Sequence, residues 1–136
     1  MAPQSRRDEL EAIDMRDLKA KEAAVLCLIY PKNDKAHFVL ILRNAYPGVH
    51  SRQISFPGGK REDHDESFLS TALRETEEEV GVKKRFIQPI TELSKLFIPP
   101  SNFLVYPYMA FLNKTPDLKR DPGEVDKILE ISLDHI

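Results

Sequence analysis

The chain has 136 residues, and its 20 Lys and Arg against 22 Asp and Glu give a formal net charge of −2. That length suits one domain of roughly 100–150 residues, and the near-neutral charge argues against a general nucleic-acid binder, which carries a basic excess. The single cysteine excludes an internal disulfide framework, and no apolar run approaches the ~20 residues of a membrane-spanning helix.

The first segment of the chain has the pattern of an amphipathic helix. Residues 5–21 carry apolar side chains near helical spacing at Leu10, Ile13 and Leu18. We therefore assign residues 1–21 to an N-terminal helical segment and residues 22–136 to one domain. The residues after Met1 are polar and charged, unlike a signal peptide, and this predicts a cytoplasmic location.

Apolar runs separated by turn signals follow, with one helix among them. A helix is predicted over Ser67–Val80, because Ser67 or Asp65 can cap its start and Gly81 can end it. The Pro-Gly-Gly sequence before it predicts a turn at Gly58-Gly59. Strands are predicted over Glu22–Tyr30, Ala36–Arg43, Ile54–Phe56, Phe86–Ile90, Leu93–Ile98, Phe103–Leu112 and Val125–Leu133. This order is typical of an α/β or α+β domain with a mixed sheet.

The small net charge conceals a strongly acidic segment. Eight acids against three bases leave −5 between Lys60 and Val80. On a helical wheel, Glu75, Glu78 and Glu79 fall within an arc of about 100°, and Glu77 points away. An apolar stripe occupies another face, at Leu69, Ala72, Leu73, Thr76 and Val80.

Two interpretations fit the three converging carboxylates. They form either a solvated acidic face or a site for a hard divalent cation such as Mg²⁺, which prefers oxygen ligands and substrate phosphates. The Gly58-Gly59 turn lets the backbone approach a metal or a phosphate closely. Arg74 can orient the glutamates or pair with Asp65 or Glu66. The residues therefore indicate a Mg²⁺-assisted phosphoryl site.

Residues 58–67 and 74–82 resemble the Nudix box, G-x5-E-x7-R-E-U-x-E-E-x-G-U, where U is apolar. The second half matches from Arg74 onward, with Thr76 a soft match to U. In the first half, six residues separate Gly59 from Glu66 where the pattern has five. Either the loop carries one extra residue or Asp65 takes the place of the box glutamate.

The resemblance implies an α/β/α sandwich with a central mixed sheet. It also implies Mg²⁺- or Mn²⁺-dependent hydrolysis of a nucleoside diphosphate linked to another moiety, with Arg74 as the partner of the box acids. The general base varies within the family, and the candidates here are Glu79, Glu78 and the downstream Glu124, in that order. The implied metal ligands are the carboxylates of Glu75, Glu78 and Glu79 and the carbonyl of Gly59.

Residues 39–59 are similar to the signature of the coenzyme A pyrophosphatase subgroup, L-L-T-x-R-[SA]-x3-R-x3-G-x3-F-P-G-G. Arg43 and Phe56–Gly59 match in register, whereas Asn44 stands where the signature has Ser or Ala. Ile41, Gly48 and Arg52 are further departures. Residues 121–133 are similar to the subgroup's E-V…E-V-P-L segment, with Ser132 in place of the proline.

The subgroup resemblance implies cleavage of coenzyme A to 3′,5′-ADP and 4′-phosphopantetheine. The implied substrate-binding residues are Arg43, His50, Arg52, Gly58 and Gly59; for His50 and Arg52, ordinary loop solubility is an equal alternative. Two other functions stay open: a broader pyrophosphatase acting on ADP-ribose or NADH, and a Nudix module that binds without catalysis. The expected partner is a small nucleotide, neither a nucleic acid nor a membrane, and a homodimer is one open oligomeric state.

Overall fold

The computed structural model describes residues 21–45, 53–98 and 102–135. Within these ranges there are eight strands, one α-helix and two short 3₁₀ turns, at Lys84–Phe86 and Leu133–His135. The helix α1 spans Phe68–Val80. The strands are β1 Lys21–Lys32, β2 Lys35–Arg43, β3 Ile54–Ser55, β4 Gly58–Lys60, β5 Gln88–Glu92, β6 Leu96–Ile98, β7 Phe103–Phe111 and β8 Val125–Ser132.

All eight strands belong to one mixed sheet with β1 at its centre. β1 pairs in parallel with β7, and the other pairings are antiparallel. β1 and β2 pair only where they join at the turn; farther along, β4 pairs with β1 and β3 pairs with β2. The short segment of β3 and β4 therefore fills the gap between two diverging strands, and this brings Gly58 and Gly59 into the middle of the sheet.

The β1–β2 hairpin joins the predicted strands Glu22–Tyr30 and Ala36–Arg43 through a two-residue turn. Asn33 and Asp34 form the turn with φ of 53° and 63°. Positive φ at both central residues is the requirement of the two-residue turns that match strand twist, and Asn and Asp tolerate it. The strands consequently extend to Lys32 and from Lys35.

Helix α1 begins and ends where the sequence predicts. Ser67 is the N-cap, and its hydroxyl accepts a hydrogen bond of 3.0 Å from the Ser70 N–H. Gly81 ends the helix with φ of 79° and donates its N–H to the Glu77 carbonyl. Of the predicted apolar stripe, Ala72, Thr76 and Val80 are buried, and Leu69 and Leu73 are half-buried.

The predicted turn at Gly58-Gly59 is wrong, because both residues lie in strand β4. Their lack of a side chain serves close packing. A Cβ at Gly58 would overlap the Ala24 carbonyl of β1, and a Cβ at Gly59 would lie 2.7 Å from the Glu75 carboxyl carbon. The two glycines therefore let the helix carboxylates approach the sheet backbone.

The predicted strand Phe86–Ile90 begins later than expected. The N–H groups of Phe86 and Ile87 donate to the carbonyls of Lys83 and Lys84, so this stretch first closes a 3₁₀ turn. Strand β5 then runs over Gln88–Glu92. β6 is shorter than its predicted Leu93–Ile98, at Leu96–Ile98.

The mixed sheet confirms the predicted α+β class. Among the described residues α1 is the one α-helix, so the second helical layer of the expected sandwich has no counterpart in 21–45, 53–98 and 102–135. The predicted N-terminal helix lies outside those ranges except for Lys21, which is the first residue of β1. No helix in the described part of the chain is long and apolar enough to span a membrane.

Candidate active site

Three carboxylates from two parts of the chain meet beside β4. Glu75 and Glu79 lie one turn apart on α1, and Glu124 directly precedes β8. One carboxylate oxygen from each lies within 4.8 Å of the others. Glu124 reaches this position because β8 pairs with β2 so that Val125 stands opposite Arg43. The structure thus gathers acids that are 49 positions apart in the sequence, from Glu75 to Glu124.

Glu79 is a fully buried carboxylate with fixed hydrogen-bond partners. Its Oε1 accepts a 2.9 Å hydrogen bond from the Gly58 N–H, and its Oε2 accepts one of 2.7 Å from Arg43 Nη1. Burial raises the pKa of Glu79; Arg43 opposes this shift, and the charge of Glu124 adds to it. Glu79 therefore has a defined orientation, with its negative charge only partly offset by the protein.

Arg43 connects the three parts of the molecule that build the site. Besides Glu79, its guanidinium donates from Nε to Ser55 Oγ at 3.1 Å and from Nη2 to the Gly58 carbonyl at 2.9 Å. Three of the five side-chain N–H groups of Arg43 therefore bond to β3, β4 and α1, and the other two are not used in these bonds. The sequence predicts a substrate-binding Arg43, and the structure adds that it holds Glu79.

Glu75 lies under Gly59 and is nearly buried. Burial and the neighbouring charges of Glu79 and Glu78 raise its pKa to about 7, against the opposing effect of Arg74. The Arg74 Nη1 group donates to its Oε1 at 2.8 Å. Burial and the two neighbouring carboxylates together therefore outweigh the ion pair with Arg74 in setting the pKa of Glu75.

Asp65, and not Glu66, is the acid paired with Arg74. The guanidinium donates from Nε and Nη2 to the two Asp65 oxygens, both at 2.9 Å, in a bidentate pair. Asp65 also accepts hydrogen bonds from the Glu62 N–H and the Thr71 hydroxyl. These donors, with Arg74 first, hold the pKa of Asp65 far below its usual range despite burial. Glu66 is exposed, so the first-half acid is the residue one position nearer to Gly59.

Glu78, which the helical wheel groups with Glu75 and Glu79, lies outside the three-carboxylate cluster. Its side chain is half exposed, and its Oε1 lies 3.3 Å from Arg74 Nη1. Glu78 and Glu79 are neighbours on the helix, but the Glu79 side chain is buried against the sheet and the Glu78 side chain is exposed to solvent. A ligand role for Glu78 stays a prediction.

The residues present fit a hard divalent cation. The cluster offers only carboxylate oxygens, the donor class of Mg²⁺. Two of its three members have raised pKa values, so added positive charge would relieve their repulsion. The residues that would hold the ion are Glu75, Glu79 and Glu124. The predicted ligand role of the Gly59 carbonyl stays a prediction.

Two predicted site residues lie outside the described part of the chain, and three residues of the site were not predicted from the sequence. His50 and Arg52 lie outside the described residues. Ser55 and Thr71 hold Arg43 and Asp65, respectively, without any sequence signal that marks them, because they act through contacts formed only on folding. Asn44, noted in the sequence only as a departure from a signature, bonds to the chain before β8.

Comparisons with known proteins show which family the chain is similar to. The family model described as "NUDIX domain" matches residues 20–136. Among curated relatives, the "Uncharacterized Nudix hydrolase NudL" of Photorhabdus laumondii is 37% identical over 113 residues, which cover 83% of this chain and 59% of that protein. The "Mitochondrial coenzyme A diphosphatase NUDT8" of Mus musculus is 32% identical, with 90% of this chain and 59% of that protein covered.

A third relative and a solved structure extend the comparison. The "Peroxisomal coenzyme A diphosphatase ndx-8" of Caenorhabditis elegans is 31% identical, over 95% of this chain and 58% of that protein. The chain thus spans less than two thirds of the length of these relatives. A crystal structure of a C. elegans Ap4A hydrolase binary complex superimposes with a TM-score of 0.71 at 23% identity, covering 85% of this chain and 82% of that one. At that identity the likeness concerns the fold.

Proposed function

Because the chain belongs to the Nudix family, we propose that it hydrolyses a pyrophosphate bond in a nucleoside diphosphate linked to another moiety, with Mg²⁺ or Mn²⁺ as cofactor. The observation that carries the proposal is the meeting of Glu75, Glu79 and Glu124 within 4.8 Å beside β4. Such a cluster supplies the oxygen ligands that a catalytic divalent cation needs.

In this proposal the protein side chains hold and orient the ligands of the cation. A bound divalent cation lowers the pKa of water and neutralises charge on phosphate oxygens. Arg43 and the Gly58 N–H fix both oxygens of Glu79. Arg74, itself held by Asp65, orients Glu75. The protein thereby supplies a prearranged set of ligands, so little reorganisation is needed when a substrate arrives.

The three candidate bases differ in their surroundings. Glu79 is the least suited to accept a proton, because each of its oxygens already accepts a hydrogen bond from the protein. Glu78 and Glu124 are exposed. We therefore place these two ahead of Glu79. The pH dependence of kcat for E78Q and E124Q tests which variant loses the acidic limb, on which activity rises as the general base loses its proton.

We propose coenzyme A as the substrate, cleaved to 3′,5′-ADP and 4′-phosphopantetheine. Two observations support this choice. The signature residues Arg43 and Phe56–Gly59 stand in register with the coenzyme A pyrophosphatase pattern, and two relatives more than 30% identical are named coenzyme A diphosphatases. His50 and Arg52, whose side chains can donate hydrogen bonds to a 3′-phosphate, are the proposed further contacts to the substrate.

A substrate panel tests this assignment. The purified protein is incubated with Mn²⁺ and coenzyme A, ADP-ribose or NADH, and kcat/KM is compared across the three. The proposal predicts the highest value for coenzyme A, with 3′,5′-ADP as product. A higher value for ADP-ribose or NADH would assign the broader pyrophosphatase activity. Binding of these compounds without turnover would assign a non-catalytic module.

A further inference from the structure

Asn44 links the end of β2 to the turn that carries Glu124. Its backbone N–H donates to the Glu124 carbonyl at 3.0 Å. Its side-chain Nδ2 donates to the Pro122 carbonyl, also at 3.0 Å. One residue, next to the Arg43 that holds Glu79, therefore bonds to both ends of the three-residue stretch that ends in the third carboxylate.

Two backbone bonds to α1 hold the beginning of this segment. The N–H groups of Lys119 and Asp121 donate to the carbonyls of Val80 and Glu79, at 2.9 and 3.2 Å. They tie the segment to the end of α1, where carbonyl groups lack partners within the helix. These bonds hold the start of residues 121–124. Asn44 adds a side-chain bond at Pro122 and a backbone bond at Glu124.

A β-bulge in β8 lies directly after this segment. Leu42 stands opposite Lys127, but Arg43 stands opposite Val125, so β8 has one extra residue between the two pairs. A bulge interrupts the alternation of side chains and bends the strand. The direction of Glu124, directly beyond the bulge, therefore depends on local bonds rather than on a regular ladder.

We propose that Asn44 is a positioning residue that keeps the Glu124 carboxylate in the catalytic cluster through its bond to the Pro122 carbonyl. The inference rests on the proposed function. It also gives a meaning to the departure at this position: the Ser or Ala of the signature is too short to make the bond that Asn44 makes. Asn44 acts through Glu124 and contacts no reacting atom itself.

The first test measures amide hydrogen exchange in the metal-free, substrate-free protein. Asn44→Ala and the isosteric Asn44→Asp, which lacks the donor, are compared with wild type; Asn44→Ser replaces Asn44→Ala if that variant loses its cooperative melting transition. The N–H groups of Glu124 and Val125, both bonded to the Asp121 carbonyl, should exchange about 5–10-fold faster. Asn113→Ala, at an exposed asparagine, is the control and should leave their exchange unchanged.

The second test is a double-mutant cycle on coenzyme A hydrolysis. Asn44→Ala should lower kcat/KM about 10-fold in the wild-type background and less than about 2-fold when Glu124→Gln is already present. Equal losses in both backgrounds, no loss from Glu124→Gln alone, or unchanged exchange at Glu124 would each overturn the inference. If wild type hydrolyses no substrate, the proposed function fails, while the exchange experiment still decides whether Asn44 orders Glu124.

Discussion

Among the single residues of the site, two arginines hold the acidic side chains in position. Arg43 fixes the buried Glu79, and Arg74 bridges Asp65 and Glu75. Each arginine uses several N–H groups in a fixed geometry that a lysine ammonium cannot reproduce. Despite both arginines, the pKa values of Glu75 and Glu79 remain raised, first by burial and then by neighbouring carboxylates.

Arg43→Lys tests the geometric role of the first arginine. Lysine keeps the charge but cannot bond to Ser55, Gly58 and Glu79 together, so Glu79 should lose its fixed orientation. We expect kcat/KM to fall at least about 10-fold, with a lower melting temperature. Arg85→Lys, at an exposed arginine that lies over the Phe86 ring, is the matched control, and an equal loss in both variants would refute the assigned role.

Asp65→Asn and Glu66→Gln separate the two candidate box acids. Asp65 is buried and accepts from Arg74, Thr71 and the Glu62 N–H, so removing its charge should cost about 1–3 kcal/mol of unfolding free energy. Glu66→Gln, at an exposed residue, should stay within about 0.5 kcal/mol. Urea unfolding of both variants measures the difference, and the reverse ranking would show that the pairing is misassigned.

The raised pKa of Glu75 sets the pH dependence of stability without metal. The folded protein retains the Glu75 proton to about pH 7, whereas the unfolded chain loses it near 4.5. Between these values the native state binds more protons, so the unfolding free energy falls as pH rises, by at most about 3 kcal/mol.

Urea unfolding in EDTA at pH 5, 6, 7 and 8 checks this slope. Glu75→Gln should flatten it, leaving the smaller contribution of the raised Glu79, and saturating Mg²⁺ should reduce it by competing with the proton. A metal-free stability that rises from pH 5 to pH 7 would contradict the electrostatic description of the cluster.

At the scale of elements, the site depends on how closely α1 and β4 approach each other. Gly58 and Gly59 permit that approach, because a side chain at either position would meet β1 or Glu75. Ser67 and Gly81 set the ends of the helix and thereby its register against β4. The helix therefore presents Glu75 and Glu79 to the sheet and leaves Glu78 exposed at its border.

Gly59→Ala should lower the affinity for Mn²⁺, whereas Gly81→Ala should lower the stability of the fold. The new Cβ at position 59 would lie 2.7 Å from the Glu75 carboxyl carbon, so Mn²⁺ affinity should fall about 10–100-fold. At Gly81, with φ of 79°, alanine should cost about 1 kcal/mol of stability and leave Mn²⁺ affinity unchanged. Calorimetric titration with Mn²⁺ and thermal unfolding distinguish the two; equal Mn²⁺ affinity in both variants would refute the close-approach argument.

In the whole molecule, the sequence predicts correctly those elements that are set by bonds between residues close together in the chain. The hairpin follows from Asn33-Asp34, and the helix follows from Ser67 and Gly81. The strand conformation of Gly58-Gly59 was missed because it is imposed by pairing with β1, far away in sequence. The Pro-Gly-Gly pattern, by itself, favours a turn.

The candidate site divides in the same way. Helical spacing predicted that Glu75 and Glu79 lie together, and the cluster contains both. Spacing alone cannot tell which of the acids is buried, so the choices between Asp65 and Glu66, and between Glu78 and Glu124 as the third member, needed the tertiary contacts of Arg74 and β8. The proposed role of Asn44 also depends on the bulge in β8 between Val125 and Lys127, which no local sequence pattern predicts.

We propose that a divalent cation held by Glu75, Glu79 and Glu124 supports pyrophosphate hydrolysis. The most direct measurement is 3′,5′-ADP release from coenzyme A during Mn²⁺ titration after EDTA treatment, for wild type, Glu79→Gln and Glu77→Gln. Glu77 is on the same helix but accepts from the Lys84 N–H, away from the cluster. Wild type and Glu77→Gln should need Mn²⁺ and turn over alike, with Glu79→Gln at least about 100-fold slower. Turnover that persists in EDTA, or that survives Glu79→Gln, would contradict a catalytic metal site at these carboxylates.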